Sequence, residues 1–437
     1  MAQVYPFTDP KQAEEKPPTV MVSGHGCFVT SDQGKTYLDG VAGLWCASLG
    51  FSNERLIAAA DAQMKTLPYY HSFMGRTTDR TNELAAKLAS LLPGDLNHVF
   101  FGCSGSDAVE TAAKIVRFYW NAKGKPEKKH IIAREAAYHG SASTSAGLTG
   151  MDYCHTGFDL PAPDILRTGR PHYYSDAKPG ESELDFSKRR AAQLEDLILE
   201  IGPERVGAFI GEPVIGSGGV IPPPEGYWAE IQAVLKRHGV LLIADEIITG
   251  FGRTGAWFAS QRYGLQPDLM TMAKQLTSAY FPVSAVAISD GVRAGLANLA
   301  SELGTFGHGF TYGGHPVGCA VALETLAIYE EMDLPRHVQR LGAYLEERLA
   351  PLSNHPAIGD IRVMGLMGGV QFHEAEVAKA ALEACEERGL LLRRIDGTIA
   401  ISPPYVITEA ELDQLVDLLT ESLQAVAGER HLEARRA

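Results

Sequence analysis

The run Val240-Leu241-Leu242-Ile243-Ala244 is wholly apolar and stops at two acids, Asp245 and Glu246. A short run of this kind without polar alternation fits a strand buried on both faces, the habit of parallel sheets covered by helices. A second strand-like run, Asp268 to Ala273, ends in Lys274, 29 residues beyond Asp245. That spacing accommodates a strand-connection-strand unit. If the two strands lie parallel in one sheet, acid and amine emerge together at its carboxyl edge, where open α/β sheets bind ligands. Either residue alone is better read as an ordinary strand-end acid or a surface lysine. The pair gains meaning from its surroundings.

A chain of 437 residues has room for two or three domains, and its 45% apolar and 21% charged residues are those of a globular enzyme. A net charge of −14 opposes binding to nucleic acid or to an anionic membrane. No stretch approaches the roughly 20 apolar residues that span a bilayer. The first residues, MAQVYPFTDPKQAEEKPPTV, contain no apolar signal core, so a cytoplasmic protein is expected. The six cysteines are scattered without CxxC spacing or paired histidines, which reads as buried thiols, not as a disulfide framework or zinc site.

Residues 20–66 read as a small antiparallel unit followed by a helix, with a turn at Ser31-Asp32-Gln33-Gly34. Trp45, in the glycine-rich loop of that unit, is either core filler or the aromatic wall of a pocket. A strand from His98 to Phe101 then leads into a helix whose apolar face is 108, 109, 112, 113, 116 and 119. Ser104 with Asp107 fits a capping box, which sets Ser104, Gly105 and Ser106 at the helix N-terminus. Free backbone donors and the helix dipole suit a phosphate there, and Gly105 allows close approach; a capped helix without a ligand is the plainer alternative. Tyr138 and His139 follow the next strand, where an aromatic side chain can stack on a flat ring and a histidine is more often structural. Residues 151–185 show little periodicity and read as a long functional or interface loop. Ser182 caps a helix through Ile201, and Glu212 then closes an apolar strand as Asp245 does. Strands alternating with helices in this way build a parallel α/β sheet.

Gly250 to Gly255 matches the GxGxxG dinucleotide fingerprint, but it lies several residues past its strand and opens no well-capped helix, so a nicotinamide or flavin site is set aside. His308 and His315 have no nearby carboxylate to complete a metal set, and no metal is expected. Thr311, between them, fits a second phosphate donor. Beyond residue 330 a helix (335–350), a strand (360–372), a helix (375–388), two short strands and a helix capped by Thr408 with Glu411 form a smaller α/β unit. Arg393, in its strand region, is a surface charge or a planar fork for a carboxylate. An amine and an acid at one sheet edge, beside a phosphate turn, suit a pyridoxal phosphate enzyme with a Schiff-base lysine and an acid for the pyridine nitrogen.

The order SGSDAVE, AAYHGS, GEPVIGSGGVIPPP, ADEIITGFGRTG, DLMTMAKQLTSAYFPVSAVAIS, HGFTYGGHPVGCAVA and ISPP resembles class III aminotransferases, from about residue 20 to 425. Among them it looks closest to the (S)-selective omega-transaminases and beta-alanine–pyruvate transaminases. The resemblance implies the fold-type-I pyridoxal phosphate architecture: an α/β large domain (66–330) with a mostly parallel seven-stranded sheet, and a smaller α/β domain built from both termini (1–65 and 331–437). It implies a homodimer with shared active sites, and leaves pairing into tetramers open. By motif position Lys274 would carry the Schiff base and Asp245 would face the pyridine nitrogen. Tyr138 and Ile247 would cover the two ring faces, with His139 and Glu212 beside them. Ser104, Gly105 and Ser106 would bind the phosphate, joined by Thr311 of the partner subunit. Trp45, Phe73, Tyr138 and Arg393 would line the substrate pocket, Arg393 meeting a carboxylate and swinging away for an apolar amine. The implied reaction passes an amino group from an omega-amino acid or primary amine to an oxo acid such as pyruvate. A glutamate-1-semialdehyde aminomutase, a decarboxylase and a non-catalytic cofactor carrier are the alternatives. Two positions depart from the family pattern: AKQL stands where AKGL is usual, and Asp107 where Glu is commoner.

Overall fold

The structure is a computed structural model that describes residues 2–434; the last three residues of the tail lie outside it. Three strands open the chain, β1 (Met21–His25), β2 (Phe28–Ser31) and β3 (Thr36–Asp39), paired as an antiparallel meander. Seven more follow: β4 (His98–Gly102), β5 (His130–Arg134), β6 (Ile165–Thr168), β7 (Val206–Gly211), β8 (Leu241–Asp245), β9 (Leu269–Met272) and β10 (Ser284–Ile288). They form one sheet in the order β4-β10-β9-β8-β7-β5-β6. Every pair from β9 to β6 is parallel, whereas β10 runs antiparallel to both β9 and β4. The last strands are β11 (Ile358–Val363), β12 (Gly368–Phe372), β13 (Leu390–Leu391), β14 (Arg393–Ile395) and β15 (Thr398–Ile401). β13 joins β3 in parallel, so the amino-terminal meander is completed from the far end of the chain, and β11-β12-β15-β14 form a separate sheet.

The apolar run from Val240 to Ala244 is explained by helices on both faces. Leu241 and Ile243 pack toward the helix Gly105–Ala122, in one buried cluster with Val109, Ala112 and Val116. Leu242 and Ala244 lie in the other cluster, with Trp228 and Ile231 of the helix Tyr227–His238. Alternation along a strand sends successive residues to opposite faces. Asp245 therefore continues the Leu241 and Ile243 row, on the face that carries Gly105.

Three elements differ from the sequence reading. Where two short strands are expected after the helix 375–388, the chain forms three, β13, β14 and β15. Residues 360–372 are not one strand: β11 and β12 pair antiparallel across a turn at Met364 to Met367, where Gly365 sits at φ 58°. The supposed loop 151–185 contains β6, which forms the edge of the large sheet beside β5. Its four residues, with prolines upstream, carry too little pattern to read as a strand.

Candidate active site

Parallel pairing of β8 and β9 sets Asp245 opposite Thr271. Three residues later the chain leaves the sheet at Lys274, which begins a short 3-10 turn, Lys274–Thr277, with its own φ at 47°. A left-handed backbone costs a residue other than glycine about 1–2 kcal/mol, and such strain concentrates at functional positions. The turn is held by Gln275, whose amide donates to the Ile248 carbonyl at 2.9 Å and whose own carbonyl accepts from the Tyr329 hydroxyl at 2.8 Å.

Asp245 is buried, and its carboxylate is fixed from three sides. His139 Nδ1 donates to Oδ2 at 2.7 Å, while Oδ1 accepts from the Thr271 hydroxyl at 3.0 Å and the Ile247 N–H at 3.1 Å. Glu212, also buried, accepts from the Tyr138 N–H at 3.0 Å and the Gly216 N–H at 2.9 Å. Burial raises the Glu212 carboxyl above its ordinary pKa, and nearby Asp245 adds to that, with His139 and the two N–H groups opposing. Glu246 points away from this group and ties the strand end to residues 259 and 260 through their N–H groups, at 3.2 and 2.6 Å.

Lys274 and Asp245 border a cavity of about 120 Å³, together with Glu212, Tyr138, His139, Gly105, Ser106 and Ile247. Burial lowers the pKa of the Lys274 amine; Asp245, Cys46 and Glu212 oppose the shift and Arg393 reinforces it. A lysine held closer to neutrality is a better nucleophile and proton carrier.

At the Gly105 end the capping box is complete: Asp107 N–H donates to Ser104 Oγ at 3.1 Å, and Ser104 N–H to Asp107 Oδ2 at 3.0 Å. The first turn of a helix leaves backbone N–H groups free to meet an anion. A Cβ on Gly105 would stand 3.0 Å from Ile247 Cδ1, so a side chain there would narrow the cleft between helix and sheet. Ser106 Oγ accepts from the Ser141 N–H at 3.0 Å, which fastens the loop after Tyr138 to the same helix end. An amine at one border, an anion-ready helix end at another and an acid at a third suit a flat, phosphorylated pyridine aldehyde.

A second cavity, of about 1530 Å³, shares Gly140 with the first and is bordered by Arg393, Ser217, Tyr153 and Phe7. Phe7 packs edge-on against Tyr153, with ring centres 6.3 Å apart. Arg393 has no ion-pair partner among the described residues.

Four of the expected residues border neither cavity. Trp45 is fully buried with Val214, Val220, Ile248 and Met367, and borders neither cavity. Phe73 and Thr311 belong to an exposed rim. Phe73 lies against Gly309, where a Cβ would come within 2.8 Å of its ring, and the Thr311 carbonyl accepts from the Tyr69 hydroxyl at 2.7 Å. Ser104, a capping residue, also lies outside the smaller cavity. The sequence reading assigned no part to Thr271, Phe7 or Tyr153. Only Thr271 left a signal, as the polar residue of an otherwise apolar strand.

The aminotransferase class III family model matches residues 10–423. The chain is a class III aminotransferase. Its relatives include the gamma-aminobutyrate transaminase 1, mitochondrial, of Oryza sativa subsp. japonica, 44% identical over 96% of this chain and 84% of that one. An uncharacterized aminotransferase y4uB of Sinorhizobium fredii is 44% identical over 98% and 95% of the two chains. Among solved structures, the omega transaminase of Pseudomonas jessenii in complex with PMP superposes with a TM-score of 0.96 at 42% identity, covering 98% and 96%. The fold is that of fold-type-I pyridoxal phosphate enzymes, and the cofactor of this aminotransferase is pyridoxal 5'-phosphate. No helix among the described residues is long and apolar enough to cross a membrane.

Proposed function

We propose that this aminotransferase takes an amino group from an omega-amino acid or primary amine and delivers it to an oxo acid such as pyruvate, by a ping-pong cycle at one site. The unpaired Arg393 beside the large cavity carries this reading. A guanidinium with no internal partner is free to receive the carboxylate of an oxo acid as a planar fork. The cavity beyond it has the volume for an amine donor that lacks a carboxylate.

In this reading Lys274 Nζ would hold the cofactor and would carry a proton off and onto the reacting carbon of the substrate. Pyridoxal phosphate, when bound, supplies the carbonyl that receives the amino group and the conjugated ring that accepts charge from that carbon. The Asp245 carboxylate would face the ring nitrogen, and His139 holds Asp245 in place. Tyr138 and Ile247 confine the ring, Glu212 fixes the backbone that carries Tyr138, and the Gly105 and Ser106 N–H groups hold the phosphate with the Ser104 cap behind them. We place Phe73 and Thr311 in the site of a second copy, so that the working unit is a homodimer. The segments 1–65 and 331–437 then act as the smaller domain around a large one at 66–330.

The test is a panel of donors (beta-alanine, gamma-aminobutyrate, an arylethylamine) incubated with pyruvate and read by alanine formation. Alanine from an omega-amino acid or the arylethylamine is expected. A cofactor-loaded protein that forms no alanine from any donor overturns the reading.

A further inference from the structure

The Asp245 carboxylate offers four acceptor positions, two on each oxygen. The chain fills three of them. Oδ1 takes the Thr271 hydroxyl at 3.0 Å and the Ile247 N–H at 3.1 Å, and Oδ2 takes His139 Nδ1 at 2.7 Å. One position, on Oδ2, is left for a ligand in the cavity that Asp245 borders. We infer that Thr271 is a positioning residue: its hydroxyl occupies the second acceptor position of Oδ1 and so decides which oxygen faces the cofactor. The inference rests on the proposed role of Asp245 toward the ring nitrogen.

Three observations support it. Thr271 is the cross-strand partner of Asp245, so the pleat sends both side chains to one face and the bond needs no long side chain to reach. Thr271 is fully buried on a strand whose other residues, Leu269, Met270 and Met272, are apolar. A hydroxyl at such a place is costly unless it is bonded, and the carboxylate supplies the bond. The chain leaving this strand reaches Lys274 three residues after Thr271, so one element leads to both the acid's orientation and the amine's origin.

Without this hydroxyl Oδ1 regains an open acceptor position, and the carboxylate can turn to states in which Oδ2 no longer faces the ring. A donor to a charged acceptor is worth enough that Thr271→Val is expected to lower kcat by about tenfold, with KM for the amine donor little changed. The apoprotein should also bind pyridoxal 5'-phosphate several-fold more weakly, read by tryptophan fluorescence. Thr271→Ser restores the hydroxyl and should recover most of both losses. In an Asp245→Asn background Thr271→Val should add little, because the group it orients is gone. The inference is overturned if Thr271→Val keeps the wild-type kcat, if Thr271→Ser fares no better than Thr271→Val, or if the two losses add in the double variant. Asp245→Asn separates the two levels. If that variant alone is fully active, the role of Asp245 itself fails; if it is crippled while Thr271→Val is not, only the Thr271 inference fails.

Discussion

The borders of the two cavities and the exposed rim are both rich in functional residue types, yet they are built in opposite ways. Around Lys274 and Asp245 the carboxylate and the helix end are fixed within one chain, by strand register, a capping box and a buried histidine. At the rim, Tyr69, Tyr70, Phe73, Met74 and Tyr312 are each more than a third exposed, and Thr311 stands among them outside either cavity. Large side chains gathered on an open surface mark an interaction site. The contrast teaches that the surroundings of the amine and the acid are set within one chain, whereas the rim is open to a partner, which in the proposed function is a second copy.

Substitutions on the two sides should therefore fail differently. The largest loss is expected for Lys274→Ala, which removes the proton carrier and should lower turnover by about 10³-fold or more while the fold persists; measurable wild-type turnover would remove the assignment. Next comes Asp245→Asn, which keeps shape but not charge and should cost about 10²–10³ in kcat with cofactor still bound. Arg393→Ala should lower kcat/KM for pyruvate by about 10–100-fold, the worth of a charged hydrogen bond, and spare an arylethylamine. Equal losses for both substrates would reject the dual use of that guanidinium. Smallest among the substitutions is Thr311→Ala, expected to weaken cofactor binding about fivefold, and only under conditions where the protein is dimeric by light scattering.

The pH dependence sharpens the same contrast. Burial favours the neutral form of Lys274, so the amine loses its proton below the ordinary lysine value of 10.5. Capture of the cofactor by the apoprotein should accelerate as pH rises, with a midpoint below 10.5. A midpoint at or above the ordinary value would mean that the amine is solvated.

Local features were legible in the sequence because each is decided within a few residues. The apolar run before Asp245, the Ser104–Asp107 capping box and the caps at Ser182 and Thr408 all stand where they were read. What escaped depends on pairing between distant segments. β6 is a strand because β5 lies beside it, and the β11–β12 hairpin turns on Gly365, which the surrounding apolar residues conceal. Whether Trp45 fills a core or walls a pocket was open at the level of sequence, since both places are apolar; here it fills a core. The bond from Thr271 to Asp245 follows from strand register, which no single stretch of sequence states.

The strained backbone of Lys274 has a thermal consequence. Two burdens fall on one residue: a dihedral that only glycine adopts freely, and an amine drawn out of water. Lys274→Gly relieves both, so the cofactor-free variant should survive heating at least as well as its parent while being catalytically dead. Heat resistance without loss of activity is therefore better sought away from that residue.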